Sequence, residues 1–64
     1  MAEINPDYRG RKVWFLNVIG NPIGFITRVY DGLGHYEYDH YYWVRLENGM
    51  LLKDVHRDEV EFVQ

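Results

Sequence analysis

The chain is predicted to fold as an all-β domain, a small, strongly twisted five-stranded barrel with one helical turn before its last strand. Three observations carry that expectation. Seven Val, four Ile and eleven aromatic residues stand against one Ala, five Leu and two Met, so side chains that suit a pleated surface dominate and helix formers are scarce. Six Gly and two Pro punctuate the chain at short intervals, as frequent turns require. Residues 41–47 alternate with a two-residue period and run into Asn48-Gly49, the strongest hairpin signal in the chain. Sixty-four residues supply one hydrophobic core and therefore one domain. The apolar fraction of 47% and aromatic fraction of 17% are too high for a disordered segment. A domain this small buries only about 60% of its unfolded-chain surface. Aromatic side chains, burying about 150–250 Å² each, offset that shortage.

Residues 1–10 read as an irregular lead-in, with Pro6 holding Asn5 extended and Gly10 closing the segment. The barrel is expected over residues 11–64. Residues 12–19 are apolar on both faces, as in a strand buried on two sides or carrying a bulge. Gly20-Asn21-Pro22 signals a turn. Residues 23–30 form the next strand, with Ile23, Phe25, Thr27 and Val29 on one face and Gly24 marking a bulge or a close backbone approach. A glycine-rich loop follows at 31–34. In the strand at 41–47, Tyr42, Val44 and Leu46 face one way, and Tyr41, Trp43, Arg45 and Glu47 the other. Asn48-Gly49 should fill the two central positions of a type I′ turn, and residues 50–55 return as the partner strand. His56-Arg57-Asp58-Glu59 suits a single helical turn, and residues 60–63 close as a short strand. The alternating faces nominate Val13, Phe15, Phe25, Val29, Val44, Leu46, Leu52 and Val60 for the core.

Tyr42-Trp43-Val44-Arg45-Leu46, Asn48-Gly49 and Val55-His56-Arg57-Asp58-Glu59-Val60 together resemble the distal hairpin, one-turn helix and closing strand of an SH3-like barrel. Gly10, Val13, Gly20, Gly24, Ile26 and Val29 are similar in spacing to the first hairpin of the KOW and Tudor branches. The resemblance spans about 55 positions and implies a barrel; the superfold hosts many unrelated functions.

Composition excludes whole classes of chemistry. With no Cys and no Ser, and Thr27 the single threonine, there is no disulfide, no Cys-based zinc site and no serine or cysteine nucleophile. Histidine and carboxylate do recur at Asp31, His35, Glu37, Asp39 and His40, but the spacing matches no fixed metal motif. The expectation is therefore no enzyme, no metal and no cofactor. No stretch of 18 apolar residues occurs and the N-terminus lacks signal-peptide character, so no membrane association and a cytoplasmic location are expected.

Two segments point to binding. Residues 35–43 concentrate four tyrosines, a tryptophan and two carboxylates. Tyr36, Tyr38, Asp39, Tyr41 and Trp43 form the first candidate, an aromatic–acidic surface for a protein that is locally basic. The alternative is a nucleic-acid patch of KOW type built from Arg9, Arg11, Lys12, Trp14 and Arg28, basic side chains beside an aromatic ring. Charge divides unevenly. Residues 1–32 carry four basic and three acidic side chains, and residues 33–64 three and seven, for a net −3. That acidic excess favours the protein partner over nucleic acid. The class expected is a small regulatory or accessory module, of the kind often encoded by phages.

Overall fold

The computed structural model describes residues 2–4, 8–32 and 40–63, and in them the all-β fold is present. Its strands are β1 (Ala2–Ile4), β2 (Lys12–Phe15), β3 (Ile23–Asp31), β4 (His40–Leu46), β5 (Leu51–His56) and β6 (Val60–Phe62). A 3-10 turn at Arg57–Glu59 is the one helical element among the described residues. Five strands form an antiparallel sheet in the order β5-β4-β3-β2-β6, and β1 is added beside β3. No ladder joins β5 to β6, so the sheet is not closed, and the 3-10 turn carries the chain across that seam. Among the described residues, no helix is long and apolar enough to cross a membrane.

The lead-in is not wholly irregular. β2 pairs with β3 only at Ile23–Phe25, which leaves the backbone groups of Val29–Asp31 on that side for β1 to satisfy. Tyr8 also leaves the lead-in to pack on Tyr42 and Phe62, at ring separations of 6.3 and 5.1 Å.

β2 ends at Phe15, four residues before the apolar run does. The cause lies in the turn. Gly20 and Asn21 adopt φ of 85° and 44°, the Asn21 side-chain amide donates to the Phe15 carbonyl at 3.0 Å, and Phe15 N–H donates to the Pro22 carbonyl at 3.0 Å. Residues 16–22 thereby become a hydrogen-bonded loop that presents Leu16, Val18 and Ile19 to solvent.

The core comprises Val13, Phe15, Ile26, Val29, Tyr42, Val44, Val55 and Val60, with Tyr8, Leu46, Leu52 and Phe62 packed against it. Phe25 does not belong to it: it is 41% exposed. A β-bulge explains the difference. Ile26 pairs with Val44 but Arg28 pairs with Trp43, so Thr27 is an extra residue on β3. Alternation therefore changes phase at Thr27, and Ile26 and Val29 both point inward while Phe25 points out. Gly24 marks the close approach and not the bulge, since it lies against Val44.

The β4–β5 hairpin also differs in detail from the sequence expectation. Gly49 N–H donates to the Leu46 carbonyl at 2.9 Å, and Leu46 N–H to the Met50 carbonyl at 2.8 Å. The loop thus has three residues, with Glu47-Asn48 central and Gly49 following in the left-handed region at φ 91°, in place of the expected two-residue type I′ turn. Asn48 contributes through its side chain, whose Oδ1 accepts from Met50 N–H at 2.9 Å. A Cβ at Gly49 would meet nothing within 4 Å, so substitution there is penalised by conformation alone. Gly49→Val is expected to cost at least about 1 kcal/mol in urea denaturation. An unchanged midpoint would show that the turn has another backbone route.

Candidate functional site

Val13, Phe15, Tyr42 and Val44 point inward, so strand alternation turns Lys12, Trp14, Tyr41, Trp43 and Arg45 to the outer face. β3 adds Phe25 and, beyond its bulge, Arg28 and Tyr30. Register sets these side chains in rows across the sheet. Lys12 lies opposite Phe25, Phe25 opposite Arg45, and Arg45 opposite Leu51. In the next row Arg28 lies opposite Trp43, and on β5 two residues, Lys53 and Asp54, oppose that single tryptophan. Asp54 takes up the extra length at φ 57°. Trp43 is therefore flanked by a bulge on each side, and bulges increase local twist.

The rings on this face carry cations. The Arg28 guanidinium lies 5.0 Å from the centroid of the Trp43 ring and the Lys53 ammonium 4.7 Å from it. Tyr30 packs on the same indole at 5.6 Å and its hydroxyl accepts from Arg28 at 3.4 Å. Lys12 lies 5.9 Å from the Phe25 centroid. Arg45 donates to the Gly49 carbonyl at 2.9 Å, which ties its head to the hairpin end of the face. Each exposed cation–π contact is worth about 0.5–1 kcal/mol. That is enough to bias where the cations sit and little enough for a ligand to displace them.

The residues expected from sequence divide accordingly. Tyr36, Tyr38 and Asp39 lie outside the described residues. Tyr41 is half-buried with its ring edge-on to His56 at 5.0 Å, and Trp43 is half-buried among Tyr30, Arg28 and Lys53. Of the basic set, Arg11 turns away to cover Phe62 at 4.3 Å, and Arg9 is exposed near the start of β2. Lys12 and Trp14 (43% exposed) lie on the outer face, and Arg28 joins Trp43. The structure thus unites part of each candidate set on one surface. Phe25, Tyr30, Arg45 and Lys53 complete it, and no sequence pattern points to them as site residues. Arg45 shares the outward row of Trp43 already in the alternation of residues 41–47, whereas Lys53 is visible only once the hairpin register is known and Phe25 only once the Thr27 bulge is. No family model, curated protein or solved structure matches this chain.

A different character marks the seam. A cleft of about 310 Å³ there is floored by Leu16, Tyr42, Val60 and Phe62, with Arg57 and Asp58 beside it. Leu16 N–H donates to the Glu59 carbonyl at 3.0 Å, which sets the exposed apolar loop next to the acidic end of the 3-10 turn. Among the described residues, no group of three or more His, Asp or Glu is placed to hold a metal ion.

Proposed function

We propose that the protein is a non-catalytic, cytoplasmic binding or accessory module whose working surface is the outer face of β2–β5 and whose partner is anionic there. The observation that carries this reading is the placement of Arg28 and Lys53 over the Trp43 indole, with Lys12 and Arg45 in the adjoining row. Aromatic and arginine side chains grouped on an accessible surface are the usual composition of binding hot spots. Local positive charge selects a complementary partner even on a chain of net charge −3.

The experiment is affinity capture from an extract of the protein's own cells, comparing the wild type with an Arg45→Glu/Lys53→Glu variant. Loss of the captured species on charge reversal is expected, and unchanged capture would sink the reading. Trp43→Ala should weaken binding by more than about 1 kcal/mol in protein that circular dichroism shows to be still folded, with a lowered thermal midpoint because its contacts with Tyr30, Arg28 and Lys53 are lost.

A second reading, a protein partner with a locally basic surface, is favoured by the exposed loop Leu16, Val18 and Ile19 beside Asp58 and Glu59. Apolar side chains edged by carboxylates suit such a partner. Under it, capture survives charge reversal at Arg45 and Lys53 and is abolished by Ile19→Asp.

A further inference from the structure

We infer that the ligand of the outer face is single-stranded nucleic acid, its bases stacked on Phe25 and Trp43 and its phosphates held by Lys12, Arg28, Arg45 and Lys53. This rests on the proposal that the face binds an anionic partner and names the chemistry of that partner. The decisive feature is that the cations sit on the ring faces themselves, Lys12 toward Phe25 and Arg28 and Lys53 toward Trp43. A ligand bringing only negative charge, such as an acidic peptide, draws those cations off the rings and leaves apolar ring surface to water. A ligand whose repeating unit joins an anion to a flat π-face takes the cation and refills the ring it left. Phosphate linked to an unpaired base is that unit.

Geometry supports two consecutive stacking positions. Phe25 faces Arg45 directly across the ladder, and Trp43 lies two residues from Arg45 on the same strand, so Phe25 and Trp43 are diagonal neighbours roughly 7–8 Å apart. Arg45 is directly across from Phe25 and adjacent to Trp43 along its own outward row, where a linking phosphate would lie. The bulges at Thr27 and Asp54 twist the sheet around Trp43 and suit a strand with splayed bases. A duplex hides its base faces in the stack, so it offers these rings nothing.

The test uses Trp14→Phe protein, in which Trp43 is the sole fluorescent indole, titrated with oligothymidylate, with a duplex of equal length and with polyglutamate of equal charge. Oligothymidylate is expected to quench Trp43 and to bind more weakly as salt rises. The Arg28→Gln/Lys53→Gln variant, both positions exposed, should bind at least tenfold more weakly. Its salt slope should be smaller by about 1.4, at about 0.7 for each phosphate left without its cation. Circular dichroism of the same samples verifies that the variants are folded, and Lys12→Gln independently removes one phosphate-binding cation. Polyglutamate binding as tightly as oligothymidylate overturns the nucleic-acid inference and leaves the anionic-partner reading standing. Duplex binding equal to that of the single strand overturns the stacking geometry. If a folded wild type binds none of the three, both fall.

Discussion

Tyr42→Ala is expected to unfold the domain at room temperature. Tyr42 is the largest of the completely buried side chains. Its ring meets Tyr8 edge-on at 6.3 Å and Phe62 at 6.2 Å, so one side chain on β4 joins the segment before β2 to the last strand. Removing a buried aromatic side chain costs about 3–5 kcal/mol, through forfeited transfer energy and the cavity left behind. A single core in a domain of this size rarely supplies more than about 3–5 kcal/mol in total. The two quantities are equal within their spread, so nothing is left to hold the fold. Tyr42→Phe keeps the ring and most of the volume and should remain folded. Near-ultraviolet circular dichroism and urea denaturation read the result. A folded Tyr42→Ala with a midpoint near that of the wild type would show that the core collapses readily around the gap.

Gly24→Ala is expected to destabilise the sheet by about 1–3 kcal/mol, the range for overfilling a packed site. The backbone at Gly24 has no positive φ, so the penalty there is contact and not conformation. A Cβ would run into Val44 Cγ1 and would stand 3.0 Å from the Arg45 carbonyl oxygen and 3.2 Å from Leu46 Cδ2. Val44 is fully buried and the carbonyl belongs to the β4 backbone, so neither moves without disturbing the ladder. Gly49 is the opposite case, with open space and a left-handed backbone. The distinction is measurable by a double-mutant cycle. Val44→Ala should relieve much of the Gly24→Ala cost, because neighbouring substitutions that share a space are coupled, and it should do nothing for Gly49→Val. Additive costs at 24 and 44 would place the Gly24 penalty elsewhere.

The inward residues of β2 are nominated by the sequence as Val13 and Phe15, but the other face, with Trp14, Leu16 and Val18, is equally apolar, and it is the pairing with β3 and β6 that decides between them. The 3-10 turn is legible because Arg57, Asp58 and Glu59 offer no apolar face. On β3 the pattern misleads. Ile23, Phe25 and Val29 share odd positions, and no residue type in the run announces that Thr27 is skipped. Its hydroxyl donates to the Trp43 carbonyl at 3.3 Å, a contact that exists only once β4 is alongside. The run from Leu16 to Ile19 misleads for a related reason. Its apolarity looks like burial, yet the Asn21 side chain bends the backbone away from the sheet. The site is half legible. Trp43, Lys12 and Arg28 stand out by type, but linear order divides them between two surfaces, since only the register β2-β3-β4-β5 shows them to be neighbours.

The bulge at Asp54 has a consequence away from the outer face of the sheet. With the sheet open between β5 and β6, both strands keep a row of backbone donors and acceptors to which another chain could add, the starting point of fibrillar aggregation. β6 is only three residues long and offers a poor template. β5 is twice that length, and the hazard rests there. Asp54 interrupts it. Its left-handed backbone breaks the strand's regular spacing, and a regular incoming strand cannot keep its hydrogen-bond ladder past that point. The irregularity that shapes the surroundings of Trp43 thereby also guards the domain against stacking into fibres.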